Sequence, residues 1–323
     1  MASFPGTDEH PIRLGVSSCL LGNAVRYDGG HKHERFLTDL LGRFVEWVPV
    51  CPELEAGMGV PRPALRLVRD GDVLRLVEIV SGRDHTRCMQ RVAAQRVRAL
   101  RGADLCGFVL KRGSPSCGME RVKVYGDTGI PKRDGQGLFA AALREAVPNL
   151  PTEEEGRLND PRLRENFIER VFAYRRVRRL FRGRWTNARV VAFHTAHELQ
   201  LMAHAPAAYG ELGRLVASLK RLPRAVVRKR YEAGFMAALA RPASRGRNAN
   251  VLQHAAGHLK KKLDSDSCAE LADRIHEYRR GRVPLVVPVT LLRHHARLHE
   301  VDSLDGQVFL EPHPMELMLR NHV

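Results

Sequence analysis

The sequence predicts an α/β domain with a mainly parallel, three-layered sheet over residues 11–148, followed by an all-α domain over residues 161–323. In the first half, short apolar runs typical of strands alternate with amphipathic helical segments. From Pro161 almost to the end, apolar residues recur at helical spacing, which predicts the second domain. Between the two, "PNLPTEEEGRLNDP" carries prolines and three consecutive glutamates, and this composition favours a linker over residues 149–160.

The elements of the first domain follow in chain order. Short apolar runs predict three strands, at "IRLGVS", "FVEWVPV" and "DLCGFVL". Two further apolar runs flank Asp70-Gly71-Asp72 in "ALRLVRDGDVLRLVEIV", which predicts a β-hairpin. Helical spacing predicts helices at "HERFLTDLLG", "DHTRCMQRVAAQRVRALRG" and "QGLFAAALREAV". Helices of the second domain are predicted at about 161–182, 187–204, 206–220, 224–240, 248–263, 266–280 and 288–299.

The charge of the chain is strongly positive and unevenly distributed. The net charge is +17, and residues 1–150 hold 22 Lys and Arg against 17 Asp and Glu, so most of the excess lies in the second half. Such a basic domain predicts a polyanionic partner, nucleic acid before an anionic membrane. The alternative is an Arg-rich composition whose arginines only solvate helices.

The sequence also indicates in which compartment of the cell the protein is expected. No apolar run is long enough to span a bilayer. The N-terminal "MASFPGTDEHP" lacks the layout of a signal peptide, and we expect a short frayed leader there. A cytoplasmic protein is therefore expected. In a reducing compartment, its six cysteines are expected to be free, metal-bound or catalytic rather than paired.

Three cysteines share one setting, directly beyond a predicted strand. They are Cys19, Cys51 and Cys117. Because ligands of open α/β sheets bind at the carboxyl ends of the strands, these thiols are expected to converge on one edge. Three thiolates suit an iron–sulfur cluster or zinc, and the alternative is three small buried residues at strand ends. The remaining cysteines are interpreted as packing or incidental residues: Cys88, Cys106 and Cys268.

The same segments resemble a known family. "SSCLLGNAVRYDGGHK", "VPVCPELEAGMGVPRP" and "LKRGSPSCG" are similar to motifs of the thiouracil desulfidase family, and the likeness covers about residues 11–148. This resemblance implies a Rossmann-like fold and a [4Fe–4S] cluster. It further implies that Cys19, Cys51 and Cys117 hold three irons and leave the fourth iron open for the sulfur that leaves the substrate.

The second half resembles a helical family that is often fused to the first. The likeness is carried by "FIERVFAYRRVRRLF", "VVAFHTAHELQLMAHAP", "NVLQHAAGHLKK" and "VPLVVPVTLLRHH". Fusions of this kind imply removal of sulfur from 4-thiouridine in tRNA, giving uridine. Two alternatives stay open: a desulfidase of free thiouracil, and a nucleic-acid-binding protein with a structural or sensory cluster.

Replacing C=S by C=O is hydrolysis without redox change, so a general acid/base is needed. Glu53 in "CPE" is the leading candidate, although an acidic residue there also suits a helix N-terminus. Ser114 is a second candidate that would orient water or the pyrimidine, and Ser116 is expected to bond to the turn backbone. Asn23 and Asp28 are predicted to bind the polar edge of the pyrimidine. Asp28 has the alternative of a simple turn residue.

Two further interpretations are weighed for other residues. Cys117 as a protease-like nucleophile is disfavoured, because nothing in the sequence orders a histidine base beside it. His194 and His197 in "FHTAHELQLMAH" only loosely match zincin spacing, so helix packing is favoured over metal binding.

The strongest arginine run lies at the start of the second domain. Positions 170–184 contain seven arginines, and four of them are spaced to share one helix face. These four are predicted to contact RNA phosphates: Arg175, Arg178, Arg179 and Arg182. The alternative is a solvated helix face. Aromatic residues are sparse at 6%, which favours recognition of a folded RNA by shape and backbone.

Overall fold

The computed structural model describes residues 11–323. The expected frayed leader at the N-terminus lies outside these residues. Internal contacts divide the described chain between Asp160 and Pro161 into an α/β unit and a helical unit. The predicted order, α/β followed by all-α, is confirmed. Among the described residues, no helix has both the length and the apolar character needed to cross a bilayer.

The first sheet of the α/β unit contains the three predicted strands and one more. β1 (Ile12–Ser17) lies between β2 (Val45–Val50) and β5 (Leu105–Leu110), and every pairing is parallel. All six residues of β5 are buried, as expected for an inner strand of a parallel sheet. Gly15 in β1 is required by packing, because a Cβ there would lie 2.1 Å from the ring of Phe108.

A second, mixed sheet stands beside the predicted one and was not foreseen. The predicted hairpin forms as β3 (Leu65–Asp70) and β4 (Val73–Glu78), with its turn at residues 71–72. The short strands β6 (Val122–Tyr125) and β7 (Lys132–Gly135) extend it to the order β4-β3-β6-β7. These two strands have four residues each, and β7 is largely exposed, so they lack a clear apolar pattern.

Helices α1 (Pro52–Glu55), α2 (Thr86–Gly102) and α3 (Leu138–Ala146) complete the α/β unit. The helix predicted at "HERFLTDLLG" was wrong in type. Residues 36–40 form one π-helical turn and residues 41–43 one 3₁₀ turn. A Gly42 Cβ would come within 3.1 Å of the Leu37 carbonyl oxygen, which shows how tightly this turn is wound.

The predicted linker over residues 149–160 was also wrong. Thr152–Glu154 forms strand β8, which pairs in parallel with β5 and completes the order β2-β1-β5-β8. All three residues are buried, including two glutamates. Consecutive acidic residues normally indicate exposed chain, and here they are buried because backbone and side-chain donors meet their carboxylates.

The helical unit contains eight α-helices among the described residues: α4 (Pro161–Leu180), α5 (Asn187–Ala196), α6 (Glu198–His204), α7 (Pro206–Ala217), α8 (Arg224–Leu239), α9 (Arg245–Leu259), α10 (Ser265–Arg279) and α11 (Val286–Leu298). The single helix predicted over 187–204 is broken at His197, whose backbone leaves the helical region. Helices α6, α9, α10 and α11 share one apolar core, to which Leu199, Leu252, Ile275 and Leu292 contribute.

Candidate functional site at the carboxyl ends of three strands

The three predicted thiols follow neighbouring strands of the first sheet. Cys19 lies in the short turn after β1, Cys51 directly follows β2, and Cys117 lies in the loop after β5. The register aligns the strand ends, since Ser17 pairs with Val50 at the end of β1 and β2. Parallel strands with level ends bring their following loops to one edge of the sheet. The convergence expected from the sequence is therefore what the strand order produces.

Cys51 occupies the N-cap position of the short helix α1. Backbone N–H groups of Leu54 and Glu53 donate toward its sulfur, and these hydrogen bonds favour a thiolate. Pro52 supports the turn because its fixed φ suits the first helical position and it needs no hydrogen-bond acceptor. The chain thus presents N–H donors to an anionic sulfur at this position.

The loop that carries Cys117 is shaped by a serine and by close backbone contact. The Ser114 hydroxyl oxygen accepts hydrogen bonds from the backbone N–H of Ser116 at 3.2 Å and of Cys117 at 3.1 Å. Gly137, just before α3, must be glycine, because a Cβ there would lie 2.5 Å from the Ser116 carbonyl. The first N–H groups of α3 can therefore donate to carbonyls of this loop, Phe139 to Ser116 among them.

The glutamates of the supposed linker hold the same loop. The Glu154 carboxylate accepts from the backbone N–H of Met119 at 2.8 Å, and Glu155 accepts from that of Arg112 at 2.7 Å. Lys111 also pairs with Glu155. Burial raises the pKa of Glu154, and the hydrogen bond from Met119 opposes that shift. Strand β8 thus fixes both ends of the segment that presents Cys117.

The three thiols lie within electrostatic reach of one another. Burial raises the pKa of Cys19 to about 11, and the nearby Cys51 adds to the shift while Lys111 opposes it. Burial likewise raises the pKa of Cys51. The pKa of Cys117 is raised well above its usual value by burial, then by Glu53 and by the other two thiols, while a hydrogen bond with Ser17 opposes the rise. Buried thiols of this kind are protonated at neutral pH until a metal displaces the proton.

The predicted general acid/base, Glu53, lies beside the thiols and is held by two partners. Arg62 donates from Nε to Oε2 at 2.9 Å and also pairs through Nη2, and its side chain is only 3% exposed. Ser116, fully buried, donates its hydroxyl to Oε1 at 2.9 Å. The sequence alone does not decide whether Arg62 lines the pocket, and it offers a bond to the turn backbone as an alternative for Ser116. In the structure Ser114 makes the turn contacts and Ser116 contacts the carboxylate.

The two predicted substrate-binding residues lie on the exposed loop after Cys19. Asn23 donates from Nδ2 to the Ser18 hydroxyl at 2.8 Å, next to the first thiol. Asp28 accepts from the backbone N–H of Gly30 at 3.1 Å, and this bond, followed by Arg26, lowers its pKa. The contacts of Asp28 are those of the turn residue that the sequence left as its alternative.

The donor set fits an iron–sulfur cluster. None of the six cysteines forms a disulfide, although three of them are close together. Within residues 11–323, no three His, Cys, Asp or Glu side chains gather closely enough to hold one metal ion. Cluster thiolates bind different irons and therefore stand farther apart than the ligands of a single zinc ion. Three electrostatically coupled thiols, with backbone N–H donors at Cys51, fit such a cluster.

The other cysteines belong to different elements of the chain. Cys106 is buried within β5, Cys88 is half-buried in α2 with its sulfur 3.7 Å from the Ala56 carbonyl, and Cys268 lies in the first turn of α10. Cys268 is a suitable control position for experiments on the three clustered thiols.

The predicted arginine face is shorter than expected. Helix α4 ends at Leu180, so Arg182 lies beyond it in a bend, and its N–H donates to the Arg179 carbonyl at 3.3 Å. The helix stops here because Phe181 is buried and Gly183 adopts a positive φ of 65°. Arg179 and Arg182 are exposed, whereas Arg175 and Arg178 are half-buried.

The histidines near the break between α5 and α6 are packed. His197 is fully buried, stacks on Phe193 with ring centroids 3.9 Å apart, and shares a hydrogen bond with the Phe193 carbonyl. Burial lowers the pKa of His197 to about 3, so it is neutral. His194 stacks on Tyr209 and contacts the Tyr231 hydroxyl. These contacts match the packing interpretation.

Two family descriptions match the chain in separate segments. The model of the family described as 2-thiouracil desulfurase matches residues 14–155. A second family, described as a protein of unknown function (DUF1722), matches residues 198–314. The first segment contains all three clustered thiols, Glu53 and both serines of the Cys117 loop.

Individual proteins are also similar to parts of the chain. An uncharacterized protein of Bacillus subtilis, YbbK, is 32% identical over 151 residues, which are 45% of this chain and 97% of that protein. An uncharacterized protein of Escherichia coli, YbgA, is 28% identical over 165 residues, which are 51% of this chain and 98% of that protein. A solved structure of the [4Fe-4S]-dependent thiouracil desulfidase TudS is 31% identical, covering 46% of this chain and 94% of its own, with a TM-score of 0.38.

Proposed function

Because the chain belongs to the 2-thiouracil desulfurase family through residues 14–155, we propose that it removes sulfur from a thiolated pyrimidine with the aid of a [4Fe–4S] cluster. The observation that carries this proposal is the edge of the first sheet, where Cys19, Cys51 and Cys117 converge beside the half-buried carboxylate of Glu53. These three cysteines would hold the cluster. When bound, it would supply an open iron, a soft Lewis acid for the departing sulfur.

Glu53 would manage the protons of the hydrolysis. Arg62 donates twice to Oε2 and Ser116 donates once to Oε1, and a carboxylate offers about four lone-pair positions, so acceptor capacity remains on Oε1. The carboxylate would take a proton from the attacking water at C4 and return it to the leaving sulfur or the ring. The contacts with Arg62 and Ser116 fix the orientation of the carboxylate, which lowers the free-energy cost of aligning water and substrate.

Ser114 would act indirectly, by shaping the loop that carries Cys117. Its hydroxyl oxygen accepts hydrogen bonds from two backbone N–H groups, and we infer that these bonds position Cys117. Ser116, rather than Ser114, would influence the reaction, because it orients the Glu53 carboxylate. Asn23 lies next to Cys19 and would meet the polar edge of the pyrimidine through its amide. Asp28 would support this loop as a turn residue and remain close to the entering substrate.

The favoured substrate is 4-thiouridine in tRNA, converted to uridine. The basic second half supports this choice, and we infer that it contacts phosphates through the arginine run at the end of α4. Its exposed members, Arg179 and Arg182, are the first to test, with Arg175 and Arg178 behind them. Free 2-thiouracil is the second candidate, because the family description names that base. A cytoplasmic location belongs to the same proposal, since six cysteines that form no disulfide suit a reducing compartment.

The test uses the full chain, reconstituted anaerobically with iron and sulfide. Wild type, Cys117→Ser and the control Cys268→Ser are compared for iron content, sulfide content and visible absorbance. The wild type and Cys268→Ser are expected to load alike, and Cys117→Ser to lose the cluster. A Cys117→Ser protein that folds, loads fully and shows the wild-type spectrum would contradict the assignment of the ligand.

Each loaded protein is then mixed with 4-thiouridine-containing tRNA or with free 2-thiouracil. Loss of the thiocarbonyl absorbance and release of sulfide report desulfidation. Turnover of tRNA supports the favoured substrate, and turnover of the free base alone supports the second candidate. A loaded wild type that turns over neither would contradict the proposed activity.

Phosphate contact is tested separately with the double variant Arg179→Ala/Arg182→Ala. Its affinity for tRNA should fall, and the salt dependence of binding should decrease by about one unit of slope per lost contact. Turnover of a free base should be unchanged. An unaltered salt dependence would place the RNA contacts elsewhere.

A further inference from the structure

The helical unit contains a polar cavity that the desulfidation site does not use. Its volume is about 180 Å³, far more than the roughly 15 Å³ that one water needs. Residues of α4, α6, α9 and α10 line it, together with segments that precede α9 and α11. The cavity therefore has room for one small ring system and polar groups around it.

One buried acceptor in its wall has no partner in the protein. Asn248 is 8% exposed and donates from Nδ2 to the Tyr278 hydroxyl at 3.0 Å. Its amide oxygen has no hydrogen-bond partner among residues 11–323. A buried polar atom left unpaired is unfavourable, so a ligand that donates a hydrogen bond to it would bind more tightly.

Two glutamates of α4 form the acidic part of the wall, and they differ in how fully they are paired. Glu169 accepts from Gln200 at 2.7 Å and from His204 at 3.2 Å, so its partners are inside the protein. Glu165 receives one close hydrogen bond, from Arg320 at 3.1 Å to Oε1. Its Oε2 lies 3.6 Å from His322, beyond a good hydrogen bond. Glu165 is therefore the carboxylate with acceptor capacity for a ligand.

Cationic groups at two helix starts provide the opposite charge. Arg162 is the second residue of α4, and Arg245 is the first residue of α9; both line the cavity and both are exposed. Arg245 is held in place, because its guanidinium lies against Gly281, where a Cβ would come within 2.5 Å. Helix N-termini favour anions, and these helices have 20 and 15 residues.

The walls between these groups are apolar, formed by Pro242, Ala243 and Leu285. Apolar walls that carry both hydrogen-bond acceptors and cations match a planar base that bears a phosphate. We propose that this cavity binds a guanine nucleotide, either free or as one nucleotide of an RNA chain. The base would meet Glu165 and Asn248, and the phosphate would meet Arg162 and Arg245.

The choice of guanine follows from the type of polar atom presented. A carboxylate and an amide oxygen both accept hydrogen bonds, so the ligand must present adjacent donors. Guanine has two on one edge, its ring N–H and its amino group, whereas adenine and cytosine alternate donor and acceptor there. The RNA form of this inference rests on the proposed function, and the free-nucleotide form does not.

The test is equilibrium binding to the full chain without reconstitution, so that the cluster plays no part. The probes are GMP, AMP, inorganic phosphate, and two short single-stranded RNAs that differ by guanosine or adenosine at one position. GMP or the guanosine RNA should bind at least about tenfold more tightly than its adenine counterpart. Phosphate alone should compete weakly.

Three variants locate the binding. Arg245→Ala should weaken binding of the guanine probe by about tenfold or more, while the control Arg214→Ala, an exposed arginine of α7 that does not line the cavity, should not. Glu165→Gln keeps the shape but replaces one acceptor by a donor, and it should remove the preference for guanine over adenine. Circular dichroism confirms that each variant is folded, and Arg245→Ala alters only a surface side chain.

Each outcome decides the inference. Guanine preference with GMP identifies a free-nucleotide site, and guanine preference with the RNA alone identifies a site for one nucleotide of an RNA. Equal binding of guanine and adenine probes, or equal effects of Arg245→Ala and Arg214→Ala, would overturn it. Desulfidation is measured independently on reconstituted protein, so loss of the nucleotide site leaves the proposed function standing, and the reverse also holds.

Discussion

Both units of this protein bury a glutamate against an arginine, yet the two pairs stand in different surroundings. In the α/β unit, Glu53 contacts Arg62 and Ser116 and lies beside three thiols. In the helical unit, Glu169 contacts His204 and Gln200 in a cluster without a cysteine. The first carboxylate is oriented toward groups that can react, and the second is enclosed by groups that neutralise it. We therefore expect the same ion-pair chemistry to serve reaction at Glu53 and stability at Glu169.

The largest effect is expected from a change at Glu53, the carboxylate beside the thiols. Glu53→Gln keeps the size of the side chain and its contact with Ser116 but removes the base. Desulfidation should fall by about 10²- to 10⁴-fold, the usual contribution of a general acid/base. Iron and sulfide content should match the wild type, and Glu145→Gln on an exposed helix position serves as the control. Wild-type turnover by a loaded Glu53→Gln would remove Glu53 from the mechanism.

The matching change in the helical unit should act on stability instead. Glu169→Ala leaves His204 buried without its carboxylate, although Arg320 keeps Glu165, and breaking a buried pair costs about 3 to 5 kcal/mol. The unfolding temperature of Glu169→Ala should therefore be lower than that of the wild type. The surface variant Glu211→Ala should unfold at the wild-type temperature. If Glu169→Ala unfolds at the wild-type temperature, the pair does not stabilise this unit.

The pH dependence of the helical unit should reveal the second glutamate of the cavity. Burial raises the pKa of Glu165 to about 7, above its ordinary value, while Arg320 opposes the rise. The contribution of Glu165 to stability is therefore fully present below about pH 4.5 and is lost as the pH rises toward and through 7. Relative to Glu165→Gln, the wild type should lose up to about 3 kcal/mol between pH 5 and 8. Parallel pH profiles of the two proteins would contradict the raised pKa.

The smallest effect should separate the two serines near Cys117. Ser116→Ala frees one oxygen of Glu53 and should slow desulfidation by between about threefold and a hundredfold, as expected for a misplaced catalytic group. Ser114→Ala removes two turn hydrogen bonds and should cost about 1 kcal/mol of stability with little loss of turnover. Turnover at saturating substrate and thermal melts are measured for both. The reverse pattern would restore Ser114 as the residue that meets the substrate.

Local pattern was enough to place the three thiols and most helices. The runs "IRLGVS", "FVEWVPV" and "DLCGFVL" form strands as predicted, so each thiol follows a strand. The hairpin at Asp70-Gly71-Asp72 and the eight helices after Pro161 also follow from spacing, with one break at His197 that spacing does not reveal. These features depend on neighbours within a few residues, which is the range that a sequence pattern records.

The sequence by itself determined the α/β and all-α halves, the strand-end thiols and the position of Glu53 two residues after one of them. Only the tertiary structure decided what that carboxylate contacts, because Ser116 is 63 residues away in the chain. It likewise turned an apparent acidic linker into strand β8, since Glu154 finds its donor at Met119, 35 residues earlier. A buried polar group needs a partner, and when that partner is distant in sequence, only the folded chain brings the two together.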